Sequence, residues 1–113
     1  MDWVKHVMWW HIYPLGFLGA DATGADRRPG RTLADIEPWL DYVIDLGLNG
    51  ILLAPIFESE THGYDTIDYY RIDSRLGTET DFTQLLDAAH QRGIRVLLDG
   101  VFNHVGRLSL IHI

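Results

Sequence analysis

The sequence predicts an α/β fold built on a parallel sheet. Three short apolar stretches, at residues 7–13, 50–57 and 94–98, read as strands buried on both faces. Two amphipathic segments between them read as helices. The runs LGLNGILLAPIF and RGIRVLLDGVF repeat one motif of helix end, glycine, apolar strand and polar loop. Strands alternating with helices in this way make a parallel sheet with helical crossovers.

Each element has its own signals. Residues 7–13 (VMWWHIY) are aromatic and β-branched, and Pro14 and Gly16 end them. Residues 15–31 hold Gly19, Gly24, Pro29 and Gly30 among Asp and Arg, which predicts a loop. Residues 33–46 predict a helix, with Leu33, Ile36, Leu40, Val43 and Ile44 on one face. Thr32 and Asp35 form a capping-box pattern before it, and Gly47 is a natural C-cap. Pro38 is either tolerated in the first turn or marks a later start. After the strand at 50–57, residues 58–77 predict a long loop with three tyrosines in seven positions, a composition suited to contact. Residues 81–91 predict the second helix, with Phe82, Leu85, Leu86 and Ala89 inward, Thr80 or Thr78 as cap and Gly93 as stop.

Composition narrows the functional classes. The 113 residues are 47% hydrophobic and 22% charged, enough to bury a core and too apolar for disorder. The formal net charge of −7 argues against nucleic acid and anionic membrane surfaces, which need clustered Lys and Arg. It suits a neutral partner such as a sugar. With no cysteine, disulfides and thiolate metal sites are excluded. The first residues do not read as a signal peptide, and no apolar run approaches the roughly 20 residues needed to span a bilayer. The cytoplasm is the default expectation. No G-x-G-x-x-G follows a strand, so a dinucleotide site has little support.

Two polar clusters could carry chemistry. The first, Asp99-Gly100-Val101-Phe102-Asn103-His104, lies at the carboxyl end of the third strand, where parallel α/β sheets bind ligands. The competing account is an Asx-type turn made by Asp99 and Asn103. The second, His62-Gly63-Tyr64-Asp65 with Asp68 and Tyr69, follows the second strand and so falls on the same face. A tyrosine ring offers a flat apolar surface with a polar edge, suited to stacking on a pyranose. The alternative is that Tyr64, Tyr69 and Tyr70 only pack the loop down. His6, His11, His90 and His112 read as structural or solvated, and Trp9 and Trp10 as core.

These clusters, in this order, resemble the α-amylase family of glycoside hydrolases. DGVFNH resembles the family's D-x-x-x-N-H signature after the third strand, and HGYD with the later DY resembles the segment after the second. WWHIYPLGF and LGLNGILLAPIF resemble the first two strands, so the likeness runs over residues 7–106. The resemblance implies a partial (β/α)8 TIM barrel, with the first three parallel strands and two intervening helices. It implies an α-glucan or maltooligosaccharide partner, with Tyr64 stacking on the sugar at the cleavage point. His62 and His104 would bond its hydroxyls, and Asp99 would hold the site together. Asn103 matches a calcium-coordinating position of calcium-dependent members, although one amide oxygen cannot supply the six to eight oxygens that calcium takes.

The family's chemistry is retaining hydrolysis or transfer by two carboxyl groups about 5 Å apart. In the family these follow the fourth and fifth strands, and a further Asp follows the seventh. No residue here matches them, so the chain is expected to be a fragment, inactive alone. Thr61 stands where exo-acting α-glucosidases often carry Asp, which tilts the reading towards α-amylase, neopullulanase or cyclodextrinase. Residues 1–106 would be the N-terminal part of the barrel and 107–113 (RLSLIHI) a short tail, foreign or disordered. Three strands cannot close a barrel of about 250 residues, and open edges favour self-association. Two other readings are a non-catalytic carbohydrate-binding or structural member of the family, and an unrelated response-regulator-like α/β module. The latter does not explain HGYD and DGVFNH together.

Overall fold

A computed structural model describes residues 6–100; Asn103, His104 and the 107–113 tail lie outside them. In chain order the elements are β1 (Trp9–Ile12), α1 (Pro14–Phe17), a 3-10 turn (Leu33–Ile36), α2 (Trp39–Asp45) and β2 (Gly50–Leu53). Then come β3 (Phe57–Ser59), β4 (Thr66–Ile72), a second 3-10 turn (Ser74–Leu76), α3 (Glu79–Gln91) and β5 (Arg95–Leu98). β1, β2 and β5 form one parallel sheet in that order. Trp9 lies opposite Gly50, and Gly50 opposite Arg95. The three predicted strands and their crossovers are therefore present, as an open sheet among the described residues.

Gly50 is needed where β2 begins. A Cβ there would lie 2.6 Å from the Trp9 ring and 2.6 Å from Val7 Cγ1, so only glycine lets both side chains cross the strand. The core lies between sheet and helices. Leu33, Ile36, Leu40 and Val43 reach it from the first crossover, and Leu85, Ala88 and Ala89 from α3. They close on Ile51 and Leu53 of β2, the sheet's central strand.

Four expectations change. The helix expected over 33–46 is a 3-10 turn followed by α2, with Pro38 at the α2 N-cap. Proline has no N–H to donate, so the regular helix starts after it. Ile44 then turns outward, 43% exposed. A one-turn helix, α1, opens the segment expected to be loop. The loop expected over 58–77 contains an antiparallel pair, β3 with β4, with irregular register around Glu58. Finally, among the described residues β1 and β5 are edge strands: His11, Arg95 and Leu97 are exposed, and burial on both faces holds best for β2.

The capping signals survive in altered form. The Thr32 N–H donates to Asp35 at 2.7 Å, while the Thr32 hydroxyl reaches Asp81 at 3.3 Å. At α3, Thr78 rather than Thr80 caps: its N–H donates to Asp81 at 2.8 Å, and the Asp81 N–H returns to the Thr78 hydroxyl at 3.4 Å.

Candidate functional site

The site is built where β2 and β5 end. Asp99 directly follows β5, and its N–H extends the ladder to the Leu53 carbonyl at 2.9 Å. The segment after β3 brings Tyr64 above it, and the Tyr64 hydroxyl donates to Asp99 Oδ2 at 3.0 Å. The two polar clusters expected on one face thus meet in a direct hydrogen bond. Burial raises the Tyr64 phenol above its ordinary value, and the bond to Asp99 and its charge add to this. Tyr64 therefore stays a neutral donor across the physiological range.

His62 stands beside this pair. Its ring centroid is 6.2 Å from that of Tyr64, with the planes at 37°. His62 Nδ1 accepts the Tyr64 N–H at 3.2 Å, and its side chain is 57% exposed. Nε2 is the nitrogen that this bond leaves to address a ligand.

Asp65 closes the turn that carries both. It accepts from the Thr61 N–H at 3.1 Å and from the Thr61 hydroxyl at 2.5 Å. Burial would raise its carboxyl, but these bonds and the nearby His62 hold it below the ordinary value. Gly63 sits within the turn at φ +104°, a conformation that side chains rarely adopt.

Beneath the turn lies a buried ion-pair network that sequence reasoning missed. Arg75 is fully buried, and all five of its N–H donors are used. Nε and one Nη2 hydrogen hold both oxygens of Asp73 at 2.9 and 2.8 Å. Nη2 also reaches the Ser59 hydroxyl at 3.0 Å, and Nη1 reaches the carbonyls of Asp21 and Thr61 at 2.7 and 2.6 Å. Burial would raise the Asp73 carboxyl, but the Arg75 bonds and the charges of Arg75 and Arg27 hold it below the ordinary range. Arg27 adds an ion pair with Glu58. Arginine is almost never fully buried unless paired, so its type alone gives no sign of this role. The available signal was its position, two residues after Asp73 and beside the apolar Leu76.

The other candidates fall elsewhere. Asp68 accepts the Tyr70 N–H at 2.8 Å within β4, where Tyr70 is 90% exposed. The Tyr69 ring lies against Phe57, with centroids 6.1 Å apart. Trp10 belongs to a partly exposed cluster with Phe17, Trp39 and Tyr42, so it is not fully enclosed in the core. His6, His11 and His90 are exposed. His104 and Asn103 lie outside the described residues. Among the described residues, no group of three or more His, Asp or Glu could hold a metal ion. None of their helices is long and apolar enough to cross a membrane.

Comparison with known proteins bears on the family and the fold. Residues 11–110 match the family model of the α-amylase catalytic domain. The chain is 40% identical over 123 aligned residues to the intracellular maltogenic amylase of Bacillus subtilis, covering 96% of this chain and 21% of that protein. It is 42% identical over 120 residues to a cyclomaltodextrinase of Geobacillus thermopakistaniensis, covering 93% and 20%. Among solved structures, ligand-free cyclic α-maltosyl-(1→6)-maltose hydrolase from Arthrobacter globiformis superposes with a TM-score of 0.81 at 34% identity. That superposition covers 98% of this chain and 28% of the other. The chain spans about a fifth of the length of the curated relatives named here.

Proposed function

The chain belongs to the α-amylase family, and on that premise we propose that it supplies part of the sugar-binding wall of an enzyme acting on α-glucans. The observation that carries this is the Tyr64–Asp99 hydrogen bond, which fixes an aromatic ring and a carboxylate side by side at the carboxyl ends of parallel strands. A ring held by its hydroxyl can stack on a pyranose, while the second Asp99 oxygen and His62 Nε2 are suited to the sugar's hydroxyls. Outside the described residues, His104 is proposed to add a further sugar contact.

The reaction would be retaining cleavage or transfer of α-1,4-glucosidic bonds, performed by two carboxyl groups about 5 Å apart. Asp99 is committed to Tyr64 and is a binding group here, not the nucleophile. The 113 residues alone are proposed to bind maltooligosaccharide without hydrolysing it. Calcium through Asn103 would need further oxygen ligands, and no step is assigned to it. A cytoplasmic location is proposed, supported by the name of the intracellular amylase relative.

Titration of the purified chain with maltotriose, followed by calorimetry or ligand-observed NMR, tests the reading. Saturable binding that Tyr64→Ala abolishes is expected, with no reducing ends released from starch or cyclodextrin. Absence of binding, or binding indifferent to Tyr64, would overturn the proposed site. Turnover by the pure chain would overturn the assignment of Asp99 as a binding group only.

A further inference from the structure

Four consecutive backbone carbonyls, from Ser59 to His62, are each held by a side chain from elsewhere in the chain. Arg27 donates to the Ser59 carbonyl at 2.9 Å and to the Glu60 carbonyl at 3.3 Å. Arg75 donates to Thr61 at 2.6 Å, and the Tyr13 hydroxyl donates to His62 at 2.5 Å. These three side chains come from the loop after α1, from the second 3-10 turn and from the residue following β1. A segment leaving a strand would ordinarily satisfy such carbonyls with water or a neighbouring strand. Here three distant points of the fold pin its path immediately before Tyr64.

We infer that Tyr13 and Arg75 are positioning residues for the sugar platform, gripping the carbonyls of Thr61 and His62 so that His62 and Tyr64 are set before sugar arrives. The inference deepens the proposed function and rests on it for the identity of the ligand. Its physical content is preorganisation. Free movement of residues 61–64 would have to be lost on binding, whereas a pinned segment has already lost it. Arg75 suits this role because its five donors reach five acceptors at once, and a lysine has only three. Tyr13 acts through one hydroxyl, so its contribution can be removed without removing the ring.

The test compares three proteins: wild type, Tyr13→Phe and a control, Thr78→Ala. The control loses the α3 cap and should lower the thermal midpoint by roughly 4–8 °C without touching residues 59–64. Affinity for maltotriose is measured well below every midpoint, and the ring resonances of His62, Tyr64 and Tyr42 are followed by NMR. Tyr13→Phe is expected to weaken binding about fivefold, the loss of one hydrogen bond's worth of order. It should also move the His62 and Tyr64 resonances while Tyr42, on α2, stays in place. Thr78→Ala should bind as wild type does.

If wild type binds and Tyr64→Ala does not, while Tyr13→Phe matches the control, the positioning inference fails and the proposed function stands. If wild type fails to bind, the proposed function fails. The resonances then still decide the inference, because unmoved His62 and Tyr64 signals in Tyr13→Phe would overturn it.

Discussion

The hydroxyl of Tyr64 donates to the carboxylate of Asp99 at 3.0 Å, joining the segment after β3 to the end of β5. The two residues are 35 positions apart in sequence. Their bond ties the crossover between β2 and β5 to the end of β5, so that the ring and the carboxylate form one surface.

Replacing Tyr64 by Phe separates the ring's two tasks. The stacking face remains while the bond to a charged acceptor is lost. Because the pair is only partly buried, a stability loss of about 1 kcal/mol is expected from urea unfolding. Maltotriose affinity should fall by less than in Tyr64→Ala. Equal losses in the two variants would mean that the hydroxyl, not the ring, is what the sugar needs.

The Asp73–Arg75 pair predicts how stability responds to acid. The Asp73 carboxyl titrates lower in the folded chain than in the unfolded one, where an ordinary value is about 3.9. Its contribution is therefore complete above that ordinary value and is lost as pH falls through the lowered folded value. Asp65 is shifted the same way and adds to the same window. Stability measured from pH 6 downwards should decline below about pH 4. Asp73→Asn should be less stable at neutral pH and should show a shallower decline. An unchanged slope in that variant would place the acid sensitivity elsewhere.

Gly24 predicts a steric failure. It sits at φ +80°, and a Cβ there would lie 2.0 Å from the Glu60 carbonyl oxygen, with Arg27 at 3.3 Å. Gly24→Ala must both adopt a disfavoured backbone and push the loop after α1 off the segment that leads to His62. A loss of about 2 kcal/mol is expected by denaturant unfolding, with weakened sugar binding. Gly30→Ala is the control, since nothing lies within 4 Å of a Cβ there. It should be close to neutral.

Much of this was legible in the sequence, and the reasons differ by element. β1, β2 and β5 announced themselves because apolar runs bounded by Gly and Pro leave few alternatives. The face of α3 followed from its spacing, and that of α2 did so for Leu40 and Val43 but not for Ile44. That the clusters of Tyr64 and Asp99 share a face followed from strand order, since residues after successive parallel strands lie at the same end of the sheet, but their direct bond was not legible. The hairpin of β3 and β4 was hidden because TIDYYRI lies among Asp and Gly residues that signal a loop, and its partner strand is only three residues long. The roles of Tyr13, Arg27 and Arg75 were hidden for a different reason. They act on backbone carbonyls, which carry no mark of residue type, across separations of 14 to 49 positions.

The exposed edges of the sheet lead to the last prediction. Among the described residues, β1 and β5 each pair with one neighbouring strand, so both lie at an open side of the sheet. Beside β1, Phe17, Trp39 and Tyr42 are 38%, 43% and 46% exposed; the rings of Phe17 and Tyr42 pack edge to face with Trp10, and that of Trp39 lies tilted against it at 40°. On β5, Leu97 is 45% exposed. Strand edges flanked by apolar side chains bind other strand edges, and the net charge of −7 supplies only a long-range repulsion that salt screens. The isolated chain should therefore self-associate, more at 0.5 M salt than at 0.05 M, as read by light scattering coupled to gel filtration. Trp39→Lys with Leu97→Lys places a cation at each edge and should return it towards monomer. A chain that is monomeric at both salt concentrations and unfolds in one sharp, reversible transition would show that the three-stranded sheet is sufficient by itself.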